Sequence, residues 1–529
     1  MTPRAEGWFA AFTGVVSAIV VLGVAEVCSL FTGNAGSPIF AVGSLVIDLA
    51  PPGAKDFMVG LFGTGDKAAL LTLLGILIVV GSALAGVLEL RRSPGGVVVF
   101  GVASLVALIA VLTRADSGGV DGVPTVIGAV VGIVILRVGI RRLARWRLAV
   151  DRRVKVADRA RVPSRVVQGS PIERRSFLSL TVLAGGAALI AGTAARVKNT
   201  TATAVAEVRK KLKLPAPATP APAIPAGASL DVSGITPLVT ANDVFYRIDT
   251  ALQVPSIDSD TWKLKVTGMV ENEIELDLKE LLKKPLIEHY ATLTCVSNDV
   301  GGDLIGNALW LGWPIRDLLK QAVPKPGADM VLSTSIDGFT AGTPLTVLQD
   351  ENTEAILAVG MNGQPLPLEH GFPVRMVVPG LYGYVSATKW LVEMKVSTFA
   401  KDEGYWTPRG WDARGPAKLE SRIDTPASGS AVKATSSTIP IAGVAWCQHV
   451  GVSKVEVQVD DGAWQVATLA DSISPDTWRQ WVYRWTSTKG QHRFRVRATD
   501  ANGNRQPSAY VPPAPNGAEG WDSINVTVS

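Results

Sequence analysis

Five apolar stretches in the first 196 residues constrain this chain more than any other feature. They lie near 8–31, 68–90, 97–113, 123–140 and 177–195. Each is long enough, or nearly so, to cross a hydrocarbon layer as a helix of about 20 residues. Lipid offers no partner to a backbone amide, so such stretches can only be helical. A sixth run near 39–50 is shorter and ends in Asp48 and Pro51, so it reads as interfacial or re-entrant. The first expectation is an α-helical transmembrane domain of about five spans over 1–196.

Basic residues orient these spans. Arg4, Arg91-Arg92 and the run 141–175 fall at alternate ends, whereas "RADSGGVDG" after span three is almost free of positive charge. Thirteen Lys or Arg stand between Arg137 and Arg175 against three acidic residues. Beside apolar helices such a run anchors at the cytoplasmic face. The net charge of +5 therefore does not indicate nucleic acid, and no recognition motif supports it. The N-terminus is expected inside and everything after 196 outside. Span five begins "ERRSFLSLTVLAGGAALIAG", which resembles an internal, uncleaved twin-arginine export signal. Arg-Arg before a helix is also ordinary positive-inside anchoring. Folded export suits an outer domain with a cofactor inserted beforehand. Of two carboxylates in these spans, Glu89 beside Arg91 reads as an interface residue, and Glu26 is the better functional candidate.

Residues 197–229 form a linker whose "KLPAPATPAPAIPAGAS" (213–229) reads as an extended spacer holding a soluble part that starts near 230. From 230 to 416 strand-like and helix-like runs mix without a βαβ repeat, which indicates an α+β domain. From 417 to 529 alternating runs separated by Asp-Gly and Asn-Gly turns indicate an Ig-like β-sandwich. Cys447 and His449, at i and i+2, read as packing residues of that sandwich.

The chain has three cysteines, Cys28, Cys295 and Cys447, and four histidines, none before His289. Neither a disulfide framework nor a zinc pattern can be built from these cysteines. The membrane part has no histidine pair for haem, and Cys-x-x-Cys-His is absent, so no haem is expected. In "HYATLTCVSNDVGG" (289–302) Cys295 closes a strand-like run and opens a Gly-rich loop. By spacing alone it is a core residue, a nucleophile with His289 or His370 as base, or a thiolate on a soft metal. Residues 366–391 supply His370, Arg375, Ser386, Thr388 and Lys389 around Gly380 and Gly383. Two cations and two hydroxyls with open backbone suit a phosphate-bearing ligand.

These two segments, in this order, resemble the molybdopterin-dependent oxidoreductases of the sulfite oxidase family. The likeness rests on "TLTC" (292–295), "MNGQPLPLEHGFPVRMVVPGLYGYVSATKW" (361–390) and "IDGFTAGTPL" (336–345). "NDVFYRIDTALQVP" (242–255), "WTPRGWDARGP" (406–416) and the C-terminal sandwich extend it over about 230–529. The resemblance implies a molybdenum–molybdopterin cofactor with Cys295 as metal ligand. It implies that Asn242, Phe245, Tyr246, His370, Arg375, Ser386 and Lys389 line the pterin. It also implies that Asn298, Asp337 and Tyr382, with Cys295, shape the substrate pocket. Two departures bear on substrate. Phe339 stands where eukaryotic sulfite oxidases usually have tyrosine, and Arg247, Asp249 and Thr250 are out of register with their Arg-Asn-His run.

The resulting expectation is a membrane-anchored molybdenum oxidoreductase transferring oxygen on a small sulfur compound outside the cytoplasmic membrane. Electrons would pass to or from a separate carrier or the quinone pool, and the C-terminal domain would support a homodimer. A sulfoxide reductase is the alternative within the family. A non-catalytic tethered adhesion or assembly module is the alternative outside it.

Overall fold

The structure is a computed structural model. It describes all residues except 1, 33–36, 52–53, 55–57, 59–60, 63–64, 115–116, 160–170, 199–201 and 434–437. Arg161 and Arg165 of the basic run lie outside the described residues, as does the side chain of Arg174. The chain divides into two units, one of Met1–Ala204 with Thr250–Gln253, the other of Val205–Asp249 with Val254–Ser529.

The first unit contains helices α1 (Pro3–Thr32), α2 (Pro38–Asp48), α3 (Asp66–Arg91), α4 (Gly95–Leu112), α5 (Val123–Arg159) and α6 (Pro171–Lys198). Five of them are long and apolar enough to cross a membrane, and α2 is the shorter sixth run. Helix α1 packs against α3, α5 and α6. Small residues allow close backbone approach in such packing. Gly14 and Gly86 lie where α1 and α3 meet, and a Cβ on Gly86 would fall 2.1 Å from Ala10 O. Phe9, Trp146 and Phe177 form an aromatic cluster with centroids 5.1–6.1 Å apart. Phe177 belongs to the Arg-Arg-Ser-Phe-Leu run and is fully buried there.

Glu89 lies near the end of α3. It is buried, accepts from Ser93 Oγ at 2.8 Å and Val97 N at 3.1 Å, and lies 3.4 Å from Arg137 Nε. It satisfies an orphan amide at the start of α4 and pairs across to α5. Glu26 is buried as well and accepts from Ser37 Oγ.

The second unit begins within α7 (Ala202–Lys211) at Val205, which is buried, and Arg209 of this helix donates to Pro365 O and Leu366 O. Ten strands follow: β1 (Lys263–Gly268), β2 (Ile274–Asp277), β3 (Ile287–Thr294), β4 (Ile305–Pro314), β5 (Met330–Ser335), β6 (Thr340–Pro344), β7 (Ile356–Met361), β8 (Gln364–Pro365), β9 (Arg375–Val377) and β10 (Leu391–Ser397). They build two sheets, β2-β1-β10-β5-β6 and β3-β4-β7-β8, with β9 also on β7. Only β1 and β10 pair in parallel in these sheets. The segment between β8 and β10 therefore passes from one sheet to the other.

The sandwich faces β11 (Glu420–Thr425), β13 (Thr438–Trp446), β17 (Arg479–Thr486) and β16 (Thr468–Leu469) against β12 (Ala431–Val432), β19 (Ser523–Val528), β18 (Gly490–Asp500), β14 (Val452–Val459) and β15 (Gln465–Val466). Alternating residues such as Val455, Val457, Phe494, Val496 and Trp481 fill its core. Cys447 joins that core. His449 does not: β13 ends at Trp446, and His449 lies in the turn at φ +72° with Nδ1 3.5 Å from Asp476.

The Pro/Ala-rich stretch is not a free spacer, and the second unit begins well before residue 230. Ala218 N donates to Leu286 O at 2.7 Å and Glu288 N to Thr219 O at 2.9 Å, so the stretch pairs with the open edge of β3. Farther on, Asp471 N donates to Gly227 O, Leu230 N to Gln480 Oε1, and Ala228 is fully buried. Proline removes donors but leaves every carbonyl, and an exposed strand edge supplies the missing N–H groups.

Gly86→Val should lower the unfolding midpoint of the detergent-solubilised chain, by about 2 kcal/mol or more of overpacking strain. Gly75→Val, where a Cβ meets nothing within 4 Å, should leave it unchanged. Equal shifts would remove the packing argument.

Candidate active site

Strand β3 ends at Thr294, and Cys295 follows where the chain leaves the sheet. The thiol is buried and outside any disulfide. Three hydrogen bonds close the loop it opens. Cys295 N donates to Leu304 O at 2.9 Å, Leu304 N to Asn298 Oδ1 at 2.8 Å, and Asn298 N to Cys295 O at 3.1 Å. Gly301 completes the turn at φ +75°, where a Cβ would fall 2.6 Å from Asp522 Oδ1. Only glycine fits both the angle and the space.

The cations come from the segment that crosses between the sheets. Arg375 opens β9 and is 5% exposed. Its guanidinium donates to His370 O, Ala387 O and Met376 O at 3.2–3.3 Å and stacks 5.1 Å from the Trp310 ring. Among the described residues no carboxylate pairs with it. Burial brings its pKa down to about 10. Lys389 is nearly as buried, donating to Asp249 Oδ2 at 2.6 Å and Glu369 O at 3.1 Å. Burial lowers its pKa to about 8 against the pull of Asp249. Arg247 shares the same carboxylate, Nε to Oδ2 at 2.8 Å.

His370 stands between these cations. Burial, then Arg375 and Lys389, bring it down to about 3, so it is neutral. Its Nε2 lies 2.9 Å from Asn242 O, which can only accept. That nitrogen therefore carries the proton and Nδ1 is an acceptor. Asn242 Oδ1 accepts from Asn362 Nδ2 at 2.8 Å, and Asn242 Nδ2 donates to Met361 O. Phe245 stacks on Tyr246 with centroids 5.2 Å apart and meets Trp310 and His370 edge-on. Burial, with the nearby Cys295, raises the Tyr246 phenol, so it stays protonated. Asn242, Phe245, Tyr246, His370, Arg375 and Lys389 thus come together, and Tyr246 links the group to Cys295.

Other expected residues lie differently. Ser386 is fully buried and donates back to Tyr382 O at 2.9 Å, and Thr388 pairs with Ser333 Oγ at 2.7 Å. Both hydroxyls hold the chain's own backbone and strands instead of lining a ligand cleft. Tyr382 is 1% exposed, packs with Val296 and Trp411, and accepts from Lys418 N at 3.4 Å. It is buried between the two domains, with Cys295 close enough to act on its phenol. Asp337 lies in the turn after β5 and accepts from Phe339 N at 3.3 Å. His289 pairs with Asp476 at 2.9 Å, and His370 is committed to Asn242 O.

Two contributions escaped the sequence reading. Asp249 neutralises Lys389 across 140 residues, and no spacing rule reveals such a pair. The C-terminal domain also grips the Cys295 loop. Gln448 Nε2 donates to Thr294 Oγ1 at 2.8 Å, Arg422 Nη1 to Gly302 O at 2.7 Å, and Tyr510 OH to Asp299 Oδ2 at 3.2 Å.

A buried guanidinium with only carbonyl partners is a site for an anion, since burying an unpaired charge is otherwise heavily penalised. A buried cysteine beside it suits a soft metal. The residues therefore fit a phosphate-bearing, thiolate-bound metal cofactor.

Residues 251–406 match the family described as oxidoreductase molybdopterin binding domain, and 420–496 the bacterial Ig domain. The chain is 30% identical over 322 residues to the mitochondrial sulfite oxidase of Homo sapiens, covering 52% of this chain and 58% of that protein. It is 27% identical over 320 residues to inducible nitrate reductase [NADH] 1 of Glycine max, covering 49% of this chain and 36% of that protein. Among solved structures it is similar to the sulfane dehydrogenase SoxCD of Paracoccus pantotrophus, at TM-score 0.48 and 20% identity over 55% of this chain and 81% of that one. The chain thus spans little more than half the length of the human relative. Its layout is an apolar helical part, a molybdopterin-binding domain and an Ig-like β domain.

Asp249→Ala strands Lys389 and Arg247 without a carboxylate. It should destabilise the second unit by about 3 kcal/mol, read from denaturant midpoints by tryptophan fluorescence. It should also move the Lys389 pKa below about 8. An unchanged midpoint would mean the pair holds nothing in place.

Proposed function

We propose that the chain, whose residues 251–406 match the molybdopterin-binding oxidoreductase domain and which is similar to sulfite oxidase, is a molybdopterin-dependent oxidoreductase that transfers an oxygen atom to or from a small sulfur compound. The observation that carries the reading is the unneutralised, buried Arg375 next to Tyr246 and the buried Cys295. The cofactor, when bound, supplies the oxygen transfer with a two-electron change at molybdenum.

The chain's own residues hold and shape that cofactor. Cys295 supplies the thiolate ligand at the end of a rigid strand. Arg375 and Lys389 hold the anionic end of the pterin, Arg375 with a planar fork suited to phosphate. Neutral His370 offers Nδ1 as an acceptor, and Asn242 fixes its tautomer. The protonated Tyr246 phenol is a donor beside Cys295. Phe245 and Trp310 keep water from the cations and strengthen their pull on an anion. Asn298 holds the loop that follows Cys295. Asp337, in the turn that carries Phe339, belongs to the substrate side.

The five apolar helices anchor the protein in the cytoplasmic membrane, with basic ends inside and the catalytic unit outside. The twin-arginine-like start of α6 fits export of a folded, cofactor-loaded unit. Electrons pass to a separate carrier or the quinone pool, and the C-terminal domain serves a homodimer.

Purified full-length protein should contain stoichiometric molybdenum and pterin. Cys295→Ser should abolish turnover while leaving the unfolding midpoint within about 1 kcal/mol. Turnover assays with sulfite, sulfoxides and nitrate, in both directions, identify the substrate. Absence of molybdenum, or full activity in Cys295→Ser, would overturn the reading and favour a non-catalytic tethered module.

A further inference from the structure

The C-terminal domain places one unusual group against the metal-cysteine loop. Glu420 opens β11, the first strand of the sandwich, and is 3% exposed. It faces Asn298, the residue whose Oδ1 and N close the loop around Cys295. Asn298 is 2% exposed, and its Nδ2 completes no hydrogen bond of ordinary length. Glu420 Oε1 likewise completes none. An amide donor and a carboxyl acceptor, both buried and both unsatisfied, face each other across the domain seam. Neighbours on both sides hold them there. Arg422, two residues along β11, bonds Gly302 O in the same loop, and β11 pairs with β13 at Glu420 and Trp446.

We propose that Glu420 is a positioning residue of this site, a carboxyl lent by the C-terminal domain that acts through Asn298 on the loop carrying Cys295. It touches no reacting atom by this assignment. Its influence runs from the Asn298 amide to Leu304 and back to the Cys295 backbone.

The charges around Glu420 set its proton affinity. Burial is the largest influence and raises its pKa to about 8. The Asn298 amide pulls it down, though by less, in keeping with a contact longer than a hydrogen bond. Asp299, on the loop, raises it. Lys418, just before β11, lowers it, and Glu519, from the C-terminal segment, raises it. Lys418 and Glu519 pair with each other at 2.8 Å, which limits what either does to Glu420. The Tyr382 hydroxyl also faces Glu420 and stays protonated.

Linkage gives the sign. The native state keeps the Glu420 proton up to about 8, whereas an opened loop releases it in the ordinary carboxylate range. Opening therefore releases a proton, and its equilibrium rises by about tenfold per pH unit between those limits. Below that window the loop is tightest, and above about 8 the dependence levels off.

Hydrogen–deuterium exchange of residues 296–304 in the full-length protein tests this. Rates are corrected for intrinsic pH dependence. Native protection should fall about tenfold per pH unit across the window. Glu420→Gln, which keeps the shape and loses the titration, should show protection independent of pH. Glu420→Asp should restore the dependence. An infrared carboxylic-acid band present below about 8 and missing in Glu420→Gln should report the same proton. The proposal falls if native protection is flat, or if Glu420→Gln keeps the slope. Should Glu420→Gln not fold, the native slope and Glu420→Asp still decide. The link to catalysis rests on Cys295 being the metal ligand, and the outcomes separate the two. Protein without molybdenum that still shows the slope would retain Glu420's role and refute the function.

Discussion

An arginine buried without a carboxylate dominates the second unit. Arg375 satisfies its N–H groups on three carbonyls, but its charge has no partner among the described residues. A charge in that state is tolerated only if the surroundings are built to hold it or a ligand completes them. Its neighbours follow from this. Trp310 offers its ring face, His370 is driven to neutrality, and Lys389 is kept apart from Arg375 by its bond to Asp249. Had a carboxylate stood beside Arg375, the centre would be a closed ion pair with no call for an anion.

The second constraint is the seam between the molybdopterin-binding domain and the sandwich. The sandwich is more than an appendage. Arg422, Tyr510 and Asp522 reach the loop after Cys295, Gln448 bonds Thr294 just before it, and a side chain at Gly301 would meet Asp522. A short loop of polar residues and glycines has little apolar area to order itself. Here a second folded domain orders it, so the position of the cysteine depends on residues more than a hundred positions away. The Pro/Ala stretch contributes from the other side by covering the edge of β3 and then running on to the sandwich. That strand is thereby fixed along both edges before it delivers Cys295.

Much of this was legible beforehand. Continuous apolar runs mark membrane-length helices because lipid leaves the backbone no other choice, and five appear where expected. Alternation with Asp-Gly and Asn-Gly turns marks the sandwich, whose inward residues form its core. Cys295 was singled out by resemblance, since spacing alone left it as a core residue, a nucleophile or a metal thiolate, and the 361–390 segment stood out by its cations and hydroxyls. Misreadings cluster where one-dimensional rules lack the partner. The Pro/Ala stretch looked unstructured because its partners are the edge of β3 and Gln480. Ser386 looked like a ligand group because its own carbonyl partner, Tyr382 O, is invisible until the short turn at 383–386 forms.

The sequence by itself determined the division into apolar helices, an α+β domain and a β-sandwich, because each follows from local periodicity and from which solvent a segment can tolerate. It also determined which side chains could act, since a lone cysteine and a cluster of cations are properties of composition and order. Only the tertiary structure decided which of them meet. It joined Lys389 to Asp249, left Arg375 without a carboxylate, and brought Glu420 against Asn298. Electrostatic state depends on burial and on partners distant in the chain, and neither quantity exists until the domains have packed.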